Sequence, residues 1–267
     1  MTPELWGPLA AFCVTVAILA SGLALFRPGG RWTFVVVGAR VGAVAVLVAA
    51  VLTAVGVGPS WSPFDLRQLA QALALATLVV YLGLVWRLGV DAAAPVVDLA
   101  VLALLLVGLF AGQSSRSLLP CILSAAPFRA QWTLFLLGAG GAAVAGSAGI
   151  MLAFRSGLSR RDVSLRWPRW IDLHACLRHA TLLTLVALGS GLAVGAWWAW
   201  RMSGSLTSGD AREAWMAVAW LIAAMSLLAR RTGRRWQIWT AGLAVGAAAV
   251  AVLGLLAAMH LGTALGT

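Results

Sequence analysis

Lysine is missing from this chain altogether, and charge of any kind is scarce. Only 10% of its 267 residues are charged, against 62% hydrophobic. A soluble domain carries roughly 25% charged residues, so this make-up excludes a fully polar surface and puts most of the chain against lipid. The formal charge of +11 is carried by Arg alone. In a soluble protein that excess would suggest nucleic acid. Here the Arg residues sit in short breaks between apolar runs, which is how membrane proteins are oriented, and nucleic acid is not the expected partner. Cysteine is nearly absent: Cys13, Cys121 and Cys176 form no CxxC pair, and their odd number defines no disulfide framework. They read as small apolar fillers. No HExxH, GxSxG or Walker-type loop occurs, so no catalytic constellation is on view. Strand alternation and long low-complexity segments are lacking too.

What the chain does have is long apolar runs. A helix needs about 20 apolar residues to cross a bilayer, and eight such runs fit. They lie near 5–26, 33–57, 67–86, 93–112, 131–154, 174–200, 213–229 and 236–262. Pro and Gly punctuate them, as at Arg27-Pro28-Gly29-Gly30, Gly58-Pro59-Ser60 and Thr232-Gly233, because both residues interrupt the helical ladder. The opening MTPELWGPLA has no basic n-region, so the first run is expected to span rather than to act as a cleaved signal. The expectation is one all-α domain over 1–267, a polytopic helix bundle in the cell's inner (plasma) membrane. Its helices are rich in Gly and Ala, as at Gly138-Ala139-Gly140-Gly141, which suits close packing of backbones in lipid.

Arg asymmetry sets the expected orientation. The breaks holding Arg27, Arg31, Arg87, Arg155, Arg160, Arg161, Arg166, Arg169, Arg230, Arg231, Arg234 and Arg235 are the richer set and should be cytoplasmic. The breaks with Arg67, Arg116, Arg129, Arg201 and Arg212 then lie outside, as do both termini. Within the spans, Arg40 and Asp98 are each about 10 Å deep from the cytoplasmic end. An unpaired charge there is costly. Either the two face each other between the second and fourth helices, or Arg40 snorkels to the interface. No carboxylate pair is read inside the membrane. His174 and His179 are about 140° out of phase on one helix and do not share a face, so they read as helix-end anchors. His260 is alone near the outer end of the last helix.

Polar chemistry and aromatic surface coincide in one stretch, GAWWAWRMSGSLTSGDAREAWMAVAWL, from Gly195 to Leu221. Asp210 as N-cap with Glu213 three positions on is close to a capping box, and acidic groups suit a helix N-terminus. This segment resembles the integral-membrane cytochrome c assembly family, which includes the CcsA, CcmC and HemX types. Members often read GAxWAxxxWGSYWSWDPKExWxLxTWL here. Gly195, Ala196, Trp198, Ala199, Gly204, Ser205, Asp210, Glu213, Trp215, Trp220 and Leu221 match, with Ala211 and Arg212 in place of Pro and Lys. Pro63-Phe64-Asp65-Leu66, Trp132 and Leu182-Leu183-Thr184-Leu185 extend the likeness, and eight spans with short loops are most similar to the HemX type.

The resemblance implies a heme-handling accessory protein of cytochrome c biogenesis. Heme would lie at the outer face against Trp197, Trp198, Trp200 and Trp215. Arg201 and Arg212 would face its propionates, since guanidinium suits carboxylate, with Asp210 and Glu213 shaping the turn. The chain departs from the pattern where Ser203, Thr207 and Gly209 replace Trp, and where Leu136 and Leu228 replace His. His260 is thus the one candidate metal ligand to heme iron. Partners would be other maturation subunits. The departures also motivate a second expectation, a heme-free structural or regulatory subunit of a membrane complex.

Overall fold

The computed structural model describes residues 6–26, 30–56, 65–88, 91, 93–110, 126–158, 169–206, 210–229 and 236–264. Those residues form eight helices: α1 (Trp6–Phe26), α2 (Gly30–Gly56), α3 (Leu66–Leu88), α4 (Ala94–Phe110), α5 (Ala126–Leu158), α6 (Trp170–Ser203), α7 (Ala211–Ala229) and α8 (Trp236–Ala264). Each lies on one of the apolar runs. Most bounds agree with the sequence to within a few residues, while α5 begins earlier than its apolar run. Pro127 stands in its first turn, where a missing N–H costs nothing. The polar Arg129 and Gln131 therefore belong to the helix.

By length and composition, α3, α5, α6, α7 and the Trp239–Leu256 part of α8 can cross a membrane. Shorter apolar stretches lie in the other helices, at Pro8–Ala20, Val35–Ala50 and Ala94–Phe110. The result is an all-α bundle of the membrane type, and its apolar outer surface is compatible with lipid. Exposed Phe12, Leu19, Trp86, Val186 and Leu253 belong to that surface.

The bundle is built around α5, which packs against α3, α4, α6 and α8. Every residue from 138 to 149 is buried. A helix enclosed on all sides has no polar face to spare, and its neighbours must come close. Two glycines set that closeness. A Cβ at Gly140 would stand 2.9 Å from the backbone of Ala76 and Thr77 on α3, and one at Gly149 would stand 2.8 Å from the Ala241 carbonyl on α8. Without water, hydroxyls in the spans must find partners inside the protein. Thr77, Ser147, Thr181 and Thr184 each donate to the carbonyl four residues back, at 2.7–2.9 Å. Other bonds cross between helices. Trp220 Nε1 donates to the Leu185 carbonyl at 3.0 Å, holding α7 on α6. Ser226 Oγ donates to the Thr240 carbonyl at 3.2 Å, holding α7 on α8.

Candidate functional site

In its described residues, the segment that sequence reasoning singled out folds as a helix end, a bend at 204–206 and a helix start. At the end of α6, Gly204 takes φ 71°, a left-handed value open to glycine, and its N–H donates to the Trp200 carbonyl at 2.9 Å. After the turn, Asp210 caps α7. Its Oδ1 accepts the Arg212 N–H at 3.0 Å and its carbonyl accepts the Glu213 N–H at 3.0 Å. The N-cap expected from the sequence is therefore formed.

The side chains of this turn reach across to α5. Arg212 Nε donates to both Asp210 oxygens, at 2.9 and 2.7 Å, and its Nη2 forms an ion pair with the same carboxylate. The guanidinium lies over the Trp132 ring, 5.0 Å from the centroid. Glu213 Oε1 accepts from Gln131 Nε2 at 3.0 Å. A Cβ at Gly195 would strike that Gln131 amide and stand 2.9 Å from Glu213 Oε1, so any larger residue on α6 here would displace these two side-chain ends. Between them these groups enclose a cavity of about 160 Å³, walled by Phe128, Gln131, Trp132 and Phe135 of α5, Gly195 and Trp198 of α6, and Asp210, Arg212 and Glu213.

Of the residues proposed from sequence, the fold thus gathers Trp198, Asp210, Arg212 and Glu213 around one cavity. Others point elsewhere. Trp197 and Trp200 are 49% and 56% exposed on the stripe of α6 that also carries Val186. The Arg201 guanidinium stands over Trp197, 5.6 Å from its centroid. Trp215 turns toward α8, where a Cβ at Gly254 would come 2.9 Å from its Cγ. The side chain of His260 lies outside the described residues. Arg212, expected to face a propionate, is neutralised by Asp210. Comparisons with family models, with curated proteins and with solved structures find no match.

A second polar cluster settles the question of Arg40. It is 1% exposed and does not snorkel. Its Nε and Nη2 donate to Asp98 at 3.0 and 2.7 Å, and its Nη1 donates to Asp91 Oδ2 at 2.7 Å. Tyr81 donates its hydroxyl to the other Asp91 oxygen, and its ring lies 5.4 Å from the Arg40 guanidinium carbon. The contact of Arg40 with Asp98 is one of the two arrangements the sequence allows, and Asp91, which lies between the apolar runs, joins it. Asp91 and Asp98 converge on one Arg. Asp91 escapes a sequence reading because it falls between two apolar runs, and Tyr81 because it lies within one. The signal on offer is that Tyr81 is the chain's single tyrosine. This network lies far from the cavity. Cys176 of α6 is within electrostatic reach of Asp91, and along that helix it is about 28 Å from Gly195.

The histidines of α6 lie within the helix, which begins at Trp170. His179 Nδ1 is 2.8 Å from the Ala175 carbonyl, and the His174 ring lies 5.1 Å from that of Trp170. Among the described residues no three His, Cys, Asp or Glu come together as a metal site.

Proposed function

We propose that this chain is an eight-span membrane protein with both termini outside, which presents heme at its outer rim as an accessory to cytochrome c biogenesis. One observation carries the reading. The segment that resembles the cytochrome c assembly family ends α6 in an exposed aromatic face, Trp197 and Trp200, with Arg201 standing over Trp197. That pairing offers a flat apolar surface beside a guanidinium, the two groups a heme and its propionate require.

Heme belongs to this rim and not to the cavity. A void of about 160 Å³ is close to that of an engineered cavity of roughly 150 Å³ that takes a benzene ring, and a macrocycle is several times larger. Trp197, Trp200 and Arg201 would hold the group, with His260 as ligand. When bound, heme supplies redox-active iron and reactive vinyl groups. The chain's own part is to bind, to orient and to leave attachment to a partner.

The decisive measurement is a pyridine-hemochrome assay on protein purified under reducing conditions. Heme should co-purify or be taken up, and Trp197→Ala/Trp200→Ala together should lower occupancy about tenfold, the loss expected of two stacking faces. Protein that takes up no heme points to the second reading, a heme-free subunit of a membrane complex. The bond of Arg212 to Asp210 favours that reading, since it removes one of the two cations expected to face propionates.

A further inference from the structure

We propose that α6 holds an anionic phospholipid at Arg178, with the lipid phosphate on the guanidinium and the acyl chains along the apolar stripe that follows it. The stripe itself sets the geometry. Arg178, Leu182, Val186, Ser190, Ala193 and Trp197 are all exposed, and steps of three or four residues keep them on one side of the helix. Arg178 is the single charge among them. The rise from Arg178 to Trp197 is about 28 Å, and the hydrocarbon core of a bilayer is about 30 Å thick. Tryptophan favours the boundary between membrane and water. With Trp197 at one boundary, Arg178 falls at the other, level with the phosphates of that leaflet.

Charge selects the headgroup. Among the described residues no carboxylate pairs with Arg178. The described carboxylates at this end of the bundle are engaged or turned away. Asp91 and Asp98 bond to Arg40. Asp172, in the first turn of α6, is about 9 Å from Arg178 along the axis and about 120° round it, and Arg169 at the N-cap offsets its charge. The guanidinium of Arg178 is therefore left for a group outside the chain. Its planar fork matches two phosphate oxygens. In a zwitterionic lipid the ammonium of the same headgroup cancels much of that attraction. Phosphatidylglycerol has no such ammonium, and an Arg near an anionic surface gains accordingly. Leu182 and Val186 favour a lipid over a soluble phosphate, because they are exposed just beyond Arg178 and offer acyl chains a surface that an inorganic anion cannot use. The site needs no heme, and it holds for whichever leaflet meets this end of the bundle.

The experiment is native mass spectrometry of the full chain in detergent, titrated with phosphatidylglycerol or with phosphatidylcholine of the same acyl chains. The first phosphatidylglycerol should bind saturably and about fivefold more tightly than phosphatidylcholine, the gain expected of one Arg at an anionic headgroup. Arg178→Gln should abolish that preference, and Arg178→Lys should keep most of it. Arg129→Gln, which removes an exposed Arg from the opposite end of the bundle, should leave it unchanged. Equal affinity for the two lipids overturns the proposal, as does a preference that survives in Arg178→Gln. Displacement of the lipid by millimolar inorganic phosphate also overturns it, since the site would then be one for a soluble anion. Should Arg178→Gln not fold, the comparison of the two lipids on the wild-type chain, with Arg178→Ala in its place, decides between the same results.

Discussion

Arg40 carries its charge at a position almost sealed from the surface, 1% exposed. Two carboxylates meet it: Asp98, wholly buried, and Asp91, with 38% of its side chain exposed. Their burial ranks their importance. Removing one member of a buried pair strands the other, typically at about 3–5 kcal/mol. Asp98→Ala should approach that loss, tempered because Asp91 still holds one guanidinium nitrogen. Asp91→Ala should cost clearly less, since its partner keeps its three bonds to Asp98. Replacing the pair, Arg40→Met with Asp98→Leu, should recover much of the deficit. Reversible unfolding by SDS in mixed micelles measures all three, and an Asp98→Ala midpoint equal to wild type would refute the ranking. The sequence disclosed Arg40 and Asp98 because a charge inside an apolar run is conspicuous. Asp91 carries the same charge but stands between runs, where charges are ordinary. The cavity shows a similar division. Asp210, Arg212 and Glu213 advertise themselves as a capped helix start. Their partners Gln131 and Trp132 come from α5, more than 75 residues earlier in the chain, and no local pattern links them.

At the scale of the helix, burial and periodicity part company. α5 is buried at every position from 138 to 149, so its apolar run has no face to reveal. That is why hydropathy gave the helix but not its central place in the bundle. Its glycines gave the better signal, since closely spaced small residues mark where backbones meet. Gly140 tests this. A methyl group there would stand 2.9 Å from the α3 backbone, and backbone cannot swing away as a side-chain tip can. Gly140→Ala should therefore destabilise the bundle by about 1–3 kcal/mol, the usual cost of overpacking, despite the better helix propensity of alanine. Gly242, where an added methyl group would meet nothing within 4 Å, is the matched control, and Gly242→Ala should be neutral or mildly stabilising. Equal unfolding midpoints for the two variants would mean that α3 and α5 are not in close contact. The helix ends were less legible than the centres. α5 and α6 run to 33 and 34 residues, about 50 Å each, because residues such as Arg129, Trp170 and Arg201 continue the helical ladder past the apolar window.

For the whole molecule, the two polar clusters occupy opposite ends of the bundle, and their functional meaning depends on which end faces out. α5 and α6 run antiparallel, since Gly141 meets Thr184 while Gly195 meets Gln131. The exposed Ser156 near the end of α5 and the exposed Ser205 after α6 therefore stand at opposite ends. The proposed orientation puts the Ser156 end in the cytoplasm, because the Arg-richer breaks follow α5 and α7. The test is labelling with a membrane-impermeant maleimide in intact cells, on a chain with Cys13, Cys121 and Cys176 replaced by Ala. Ser205→Cys should label without permeabilisation, and Ser156→Cys only after it. The reversed result would place Trp197, Trp200 and Arg201 in the cytosol and remove the ground for heme presentation to exported cytochromes. It would leave the cavity intact, because its walls do not depend on sidedness. Labelling of both positions from one face would contradict the antiparallel pairing of α5 with α6, and with it the cavity itself.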